Sequence, residues 1–272
     1  MLATTSEASG LFSTTREILM SVHTVTITLL ADNHAAYGLD AEHGFALWIE
    51  ADGRRILFDT GCGDALPRNM DILGIDVRRT DAVVLSHGHY DHTGNLPWAL
   101  EQATGAALYL HPSTLRSRYS IHEKPKPIGM PQVSAEVVQQ LPDTRRHWVC
   151  APVALSANVW LTGGVPRQTA YEDTGGPFFL DEEGRYADAI PDDLSLWIQT
   201  PAGLVICLGC CHAGVINTVQ YIAKTSADQR IVALLGGMHL LHASEERLER
   251  TAEALKAYTI LRVPTSRYGF AA

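Results

Sequence analysis

Four side chains that could bind a metal ion lie within six consecutive residues, HGHYDH, which run from His87 to His92. In a locally extended segment, side chains two residues apart point the same way, so His87 and His89 can present two imidazoles to one cation. The turn that follows directs Asp91 and His92 toward a second cation nearby. Imidazole and carboxylate ligands suit zinc, and also iron or manganese. We therefore predict two divalent metal ions, zinc being the first choice.

A predicted strand precedes this motif and a predicted helix follows it, which would place the motif in a loop at the edge of a sheet. The motif directly follows Asp81–Ser86, a short apolar segment typical of a buried strand, and a helix is predicted from Leu96. Loops that follow buried strands are where α/β layers place their reactive residues. The alternative is a polar loop whose histidines only form hydrogen bonds, but clustered imidazoles without a cation would gain little there.

The rest of the chain alternates between hairpins, buried strands and helices. His23–Leu30, Gly44–Glu50 and Arg55–Asp59 have strand patterns, and Asp52-Gly53 predicts a tight turn between the last two. The remaining predictions are strands at Ala107–Leu110, Val159–Thr162, Leu194–Thr200, Leu204–Leu208 and Ile231–Leu235, helices at Leu96–Thr104, Thr218–Thr225 and Ser244–Tyr258, and an irregular His111–Leu141. This order favours two sheets packed face to face with helices outside.

Composition limits the partners and the location. The chain has 272 residues, of which 46% are hydrophobic and 19% charged, which indicates a globular protein with a sizeable core. A formal charge of −9 argues against nucleic acid as a partner, and no apolar run is long enough to span a bilayer. Five cysteines without a regular spacing do not suggest a disulfide framework. We expect a cytoplasmic protein with a flexible leader at residues 1–20 and one domain at residues 21–272, and homodimerisation is an open option.

The motif His87–His92, together with Asp59 in Phe58-Asp59-Thr60-Gly61, resembles the metallo-β-lactamase superfamily. Longer strings narrow the resemblance to the subgroup labelled 7,8-dihydropterin-6-methyl-4-(β-D-ribofuranosyl)aminobenzene-5′-phosphate synthase-like. These strings are Leu85–Asn95, Gly44–Ala46, Leu161–Arg167, Gly209–Gly214 and Gly236–Leu240. The resemblance implies an α/β fold of the αββα type, a four-layer sandwich in which two mixed sheets are covered by outer helices.

The resemblance also implies metal ligands from later strands. His239 matches the last metal histidine of the superfamily, and His212 lies in a segment like Gly-Cys-Ser-His-Ala-Gly, with Cys211 in the place of Ser. Cys210 replaces the usual bridging aspartate; a thiolate can bind zinc, but such a cysteine is more often a small buried hydrophobe. Asp59 is expected to orient a metal-bound imidazole from behind. One tight and one weak metal site is an alternative to two equal ones.

The substrate side of the site is predicted from the same resemblance. His111, Arg118 and Tyr119 fall in a segment similar to the subgroup's His-Pro … Arg-Tyr pattern, and Arg167 follows a predicted turn. Because guanidinium groups bind phosphate or carboxylate through two parallel hydrogen bonds, we expect Arg118 or Arg167 to hold an anionic group of a small-molecule substrate. A surface salt bridge is the alternative. Three further histidines are assigned no role and are interpreted as surface or loop residues: His122, His147 and His242.

The chemistry predicted for this site is metal-assisted hydrolysis. A bound metal ion lowers the pKa of its water toward about 7, and Asp91 and His92 are the expected catalytic residues, with Asp91 also holding the proton of the nucleophile. The substrate would be a phosphoester, a lactone or a related ester or amide. The alternatives are a synthase joining a pterin- or aminobenzoate-type acceptor to a ribosyl phosphate, an iron-dependent oxidoreductase, and a non-catalytic metal-binding sensor module.

Overall fold

The computed structural model describes residues 24–258, so the expected leader and the tail after Tyr258 lie outside the described residues. The strands are β1 Val25–Ala31, β2 Ala46–Ala51, β3 Arg54–Phe58, β4 Ala82–Val84, β5 Ala107–Leu110, β6 Tyr119–Ile121, β7 Pro125–Pro127, β8 Arg146–Trp148, β9 Val153–Ala154, β10 Val159–Leu161, β11 Phe178–Phe179, β12 Ser195–Thr200, β13 Gly203–Leu208 and β14 Ile231–Leu235. The helices are α1 Ala65–Ile72, α2 Tyr90–Thr93, α3 Leu96–Gln102, α4 Gln132–Gln140, α5 Val215–Ser226 and α6 Glu245–Leu255. None of the helices described is long and apolar enough to cross a membrane.

The first sheet has the strand order β1-β2-β3-β4-β5-β8 and is mixed. Strands β1 to β3 are antiparallel, whereas β3, β4, β5 and β8 run parallel to one another. The predicted turn at Asp52-Gly53 joins β2 to β3, with φ of 52° and 72° at its two residues. Positive φ at both positions is the geometry that matches the twist of a two-residue hairpin, so this prediction is confirmed.

The second sheet has the order β14-β13-β12-β10-β9. A short turn at Pro201-Ala202 joins β12 to β13, which are antiparallel neighbours. Strands β13 and β14 are parallel neighbours, so the loops that follow them leave the sheet at the same edge. A third, small sheet has the order β11-β6-β7 and is antiparallel.

Three apolar clusters establish the layers. Alternate residues of the two large sheets, among them Ile49 of β2 and Ile198 of β12, meet in a core between the sheets. The opposite face of the first sheet packs against α1, α3 and α4, for example through Leu57 and Leu100. The opposite face of the second sheet packs against α5, for example through Ile206. The predicted αββα four-layer sandwich is therefore confirmed.

The segment His111–Leu141 differs from its prediction, because it contains β6, β7 and α4 rather than only irregular chain. Two prolines lie in β7, an edge strand, where a missing amide donor costs no hydrogen bond inside the sheet. Pro131 stands immediately before α4, where a helix needs no amide donor. The prolines of this segment are therefore compatible with an edge strand and with the start of a helix.

Candidate metal centre

The chemically active residues follow strand ends that face one another across the sandwich. His87 and His89 follow β4 of the first sheet, and the short helix α2 carries Asp91 and His92. In the second sheet, Cys210 and His212 follow β13, and His239 follows the parallel strand β14. The two sheets are also tied together at this edge, because Leu194 N donates to Ser86 O at 2.7 Å.

Six side chains gather at this edge, and we refer to them as the six-donor cluster: His87, His89, His92, Cys210, His212 and His239. They form three overlapping groups of three, in each of which the possible ligand atoms lie within 4.8 Å of one another. The groups are His87/His89/His212, His87/His92/Cys210 and Cys210/His212/His239. All members are buried except His239, which is half-buried. The shared members make the three candidate positions adjacent.

The nitrogen and sulfur atoms of the cluster lie within hydrogen-bonding distance of one another, although all of them carry lone pairs. Nε2 of His87 lies 2.9 Å from Nδ1 of His89, and Sγ of Cys210 lies 3.0 Å from Nε2 of His92. Nδ1 of His212 lies 2.7 Å from the carbonyl oxygen of Thr174, which leaves Nε2 for the cluster. The Nε2 atoms of His89 and His212 are buried and have no hydrogen-bond partner among the described residues. A buried polar atom without a partner is costly, so these donors fit a cation.

Burial sets the protonation of the imidazoles. It lowers the pKa of His87 and His212 well below the usual value of 6.5, and it lowers the pKa of His89 to about 3. These rings are therefore neutral at pH 7 and offer lone pairs to a metal. Burial also opposes the charging of His92, but the nearby Cys210, Asp59 and Asp91 outweigh it and raise the pKa of His92 well above 6.5. The same neighbours that favour a proton on His92 would favour a metal cation bound to its Nε2 in place of that proton.

Asp59 lies behind the cluster, in contact with His92 and Ser86. Its Oδ2 lies 2.7 Å from Nδ1 of His92 and accepts a hydrogen bond of 2.7 Å from the Ser86 hydroxyl. The Ser86 oxygen is in turn 2.9 Å from Nδ1 of His87. Asp59 is completely buried and has a φ of 61°, an uncommon conformation for a residue with a side chain. One carboxylate therefore positions two imidazoles of the cluster.

Arg118 does not face the substrate side, contrary to the sequence-based expectation. Its guanidinium is buried, lies 2.8 Å from Oδ2 of Asp188, and donates to Asp192 at 2.8 Å. Asp192 Oδ2 also accepts the backbone N–H of Gly88 at 2.9 Å. With two carboxylates on it, the arginine is unavailable to a substrate anion. It holds in place the backbone between His87 and His89.

Gly88 and Asp193 show how tightly the two loops of the cluster are held. A Cβ atom at Gly88 would lie 2.2 Å from the carbonyl oxygen of Thr114, so only glycine fits between His87 and His89. Asp193 accepts the N–H of Ala213 at 2.7 Å, next to His212. Burial raises the pKa of Asp193 to about 7. Both loops are thus fixed by backbone contacts as well as by their side chains.

The other residues expected on the substrate side also lie elsewhere. Nδ1 of His111 accepts from Ser113 N and caps a short helical turn, and exposed Arg167 donates to Ala189 O at 2.8 Å. Tyr119 is half-buried; burial and a hydrogen bond with Glu182 raise the pKa of its phenol. None of these three side chains lines the cleft at the cluster. Each one forms a hydrogen bond with a neighbouring loop or turn instead.

A cleft of about 400 Å³ opens onto the cluster. Asp91 lines it, and Oδ2 of Asp91 lies 3.7 Å from Nε2 of both His92 and His43, although Asp91 belongs to none of the three donor groups. The lining also includes side chains that were not assigned to the site from the sequence, among them His43, Tyr90, His122, Lys126 and His242.

These omissions have identifiable causes. His43 directly precedes the Gly44–Ala46 string, and Lys126 lies between two prolines in a segment that the sequence predicts to be irregular. His122 and His242 are exposed, as predicted for surface or loop residues. Both also line the cleft, at its rim. His147, also assigned no role, stacks on Tyr109 with ring centroids 4.7 Å apart and does not line the cleft.

Comparison with known proteins agrees with the fold. Residues 39–209 match the model of the metallo-beta-lactamase superfamily. A 7,8-dihydropterin-6-methyl-4-(beta-D-ribofuranosyl)-aminobenzene-5′-phosphate synthase of Methanocaldococcus jannaschii is 27% identical, over 90% of this chain and 87% of its own length. An uncharacterised protein of the same organism is 30% identical, over 90% of this chain and 91% of its own length. A solved metal-dependent hydrolase of the beta-lactamase superfamily superposes with a TM-score of 0.69 at 29% identity, covering 85% of this chain and 82% of its own.

A sandwich of two sheets with a cluster of metal-binding side chains at one edge defines a class of metal-dependent proteins. On the family match and the structural similarity, the chain belongs to the metallo-beta-lactamase superfamily.

Proposed function

We propose that this protein is a metal-dependent hydrolase that acts on a phosphoester, a lactone or a related ester or amide. The observation that carries the proposal is the six-donor cluster, which offers nitrogen and sulfur donors to two adjacent cations at the floor of a cleft. The donors are those that zinc prefers, and manganese or iron could occupy positions rich in imidazole. Bound divalent ions would supply a water of lowered pKa and would polarise the attacked group.

The residues of the chain have separate tasks in this proposal. His87, His89, His92, His212 and His239 would hold the ions, joined by Cys210 in the position expected for a bridging carboxylate. Asp59 keeps the imidazole of His92 oriented through Nδ1. Asp91 has its carboxylate in the cleft and can accept a proton from the attacking water, in addition to completing the coordination at its side of the cluster.

The test combines metal content with turnover. The purified protein, loaded with zinc, manganese or iron, is assayed on a panel of 4-nitrophenyl esters, bis(4-nitrophenyl) phosphate and lactones. We expect turnover that disappears on chelation and returns with metal. His212→Gln should lose most of the activity, whereas His147→Gln, a histidine outside the cleft, should keep it. Metal bound at the cluster without turnover on any member of the panel would contradict a hydrolase and favour a binding module.

A second candidate is a synthase, which the similarity to the synthase of Methanocaldococcus jannaschii favours. Such an enzyme would join an aminobenzoate- or pterin-type acceptor to a ribosyl phosphate at the same site, with departure of the leaving group that the donor carries on the reacting carbon of the sugar. Reaction in water labelled with heavy oxygen separates the two candidates. Hydrolysis places the oxygen of water in a product, whereas the joining of two substrates does not.

A further inference from the structure

The lining of the cleft differs in charge from the protein as a whole. The chain carries a formal charge of −9, yet Asp91 is the only carboxylate among the described residues that line the cleft. The lining also includes Lys126 and five histidines. A cleft lined in this way attracts anions into an otherwise acidic protein.

Lys126 is the fixed positive charge in this lining, and it is held by the metal-binding motif itself. It belongs to β7, where it stands opposite Ser120 of β6. Two residues further on, Ile128 O accepts the N–H of Tyr90 at 3.0 Å, which ties the strand to the chain between His89 and Asp91. The position of Lys126 relative to the cluster is therefore set by backbone contacts.

The side chain of Lys126 also has a defined direction. Its Nζ lies 5.5 Å from the centroid of the Tyr90 ring, within the range of a cation–π contact. Among the described residues no carboxylate forms an ion pair with it, although the surface has many acidic groups. An ammonium directed by an aromatic ring and not neutralised by a carboxylate can receive an anion from solution.

We propose that Lys126 binds an anionic group of the substrate, a carboxylate or a phosphate, at a point remote from the bond that is cleaved. This inference rests on the proposed function. It assigns to Lys126 the role that the sequence suggested for Arg118 or Arg167, neither of which lines the cleft. The substrate class is then a small ester whose reactive group meets the cluster and whose negatively charged end lies between Lys126 and the rim histidines.

The test compares two substrates that share a leaving group and differ in the charge at the far end, 4-nitrophenyl hemisuccinate and 4-nitrophenyl butyrate. Lys126→Gln should raise KM for the hemisuccinate by about fivefold, the upper range for an exposed charge pair, and leave kcat nearly unchanged. KM for the butyrate should stay the same. Lys126→Arg should preserve the preference, and added salt should weaken it.

Lys124→Gln is the matched control, because Lys124 is exposed in the same segment but does not line the cleft. It should leave both KM values unchanged. An equal change in KM for both substrates in Lys126→Gln, or no change for either, would overturn the inference. A similar rise in KM for the hemisuccinate in Lys124→Gln would also overturn it, because such a rise would indicate a general electrostatic effect of the surface charge rather than a site at Lys126.

A binding measurement separates failure of this inference from failure of the proposed function. Phenyl phosphate is titrated calorimetrically into zinc-loaded wild-type protein, Lys126→Gln and Lys124→Gln. If no ester is hydrolysed but Lys126→Gln alone weakens phenyl phosphate by a similar factor, the anion site stands and the hydrolase does not. If esters are hydrolysed, but all three proteins have the same affinity for phenyl phosphate and the same KM for each ester, the hydrolase stands and the anion site does not.

Discussion

The sulfur of Cys210 lies 3.0 Å from Nε2 of His92, at the point where two of the three donor groups share a member. From the sequence alone, Cys210 could be either a small buried hydrophobe or a metal ligand. Its surroundings favour the second role, because its near neighbours in the cluster are imidazole nitrogens. A thiolate in this place gives a softer, more zinc-selective centre than a carboxylate would.

The first prediction concerns Cys210 as a ligand. Protein loaded with Co²⁺ should show a near-ultraviolet charge-transfer band from the thiolate, and Cys210→Ser should abolish the band, because a hydroxyl does not give it. Absorption spectroscopy on matched metal loadings is the measurement. Cys211→Ser is the control, since Sγ of Cys211 lies 3.4 Å from the Thr218 hydroxyl and outside the cluster. A band that survives in Cys210→Ser would exclude sulfur ligation by that residue.

The second prediction concerns Asp59. Asp59→Asn keeps the shape of the side chain but removes the charge that faces Nδ1 of His92, so metal affinity should fall by roughly tenfold to a hundredfold. Competition with a chromophoric chelator measures the affinity. Asp81→Asn is the matched control, because Asp81 precedes the opposite end of β4 and pairs with Arg55. If the two variants bound metal equally well, Asp59 would not position the cluster.

The third prediction concerns the buried Arg118. Arg118→Gln leaves Asp188 and Asp192 buried without their cation, so the free energy of unfolding should fall by about 3 kcal/mol. Urea denaturation is the measurement. Arg185→Gln provides the comparison, because Arg185 is an exposed arginine that also pairs with two carboxylates, and it should cost less than about 1 kcal/mol. Equal losses for the two variants would contradict a positioning role for Arg118.

The fourth prediction concerns Cys207, which lies in the core between the sheets. Burial raises the pKa of its thiol from 9.0 to about 12, so above pH 9 the unfolded chain releases a proton that the folded protein retains. The folded state then holds more protons, and stability falls as the pH rises from 9 toward 12, by about 1.4 kcal/mol at pH 10.

Cys207→Val removes this thiol while keeping an apolar side chain of similar size. Its stability should therefore fall less steeply between pH 8 and pH 10, as followed by urea denaturation. Cys150→Val, at an exposed cysteine, should keep the wild-type dependence on pH. An unchanged slope in Cys207→Val would show that other groups account for the alkaline loss.

Much of the fold could be predicted from local patterns. The dipeptide Asp52-Gly53 strongly favours a two-residue hairpin turn. Strands β5 and β14 have the predicted bounds, because their short apolar sequences favour a strand over other local structures. The predicted helix at Ser244–Tyr258 corresponds to α6, and the Ser244 hydroxyl caps it by accepting a hydrogen bond from Arg247 N at 3.2 Å. Segments that depend on partners, such as β7 and α4, were missed because their stability comes from packing rather than from their own sequence.

The sequence by itself determined the family, the layered fold and most of the side chains that gather in the six-donor cluster, because short strings such as His87–His92 contain both the donor residues and their spacing. Only the tertiary structure decided where the long cationic side chains go. Arg118 and Lys126 are similar in charge, but one is enclosed by two buried carboxylates and the other lines the cleft. The two carboxylates that enclose Arg118 lie seventy or more positions away along the chain, a relationship that no local pattern reveals.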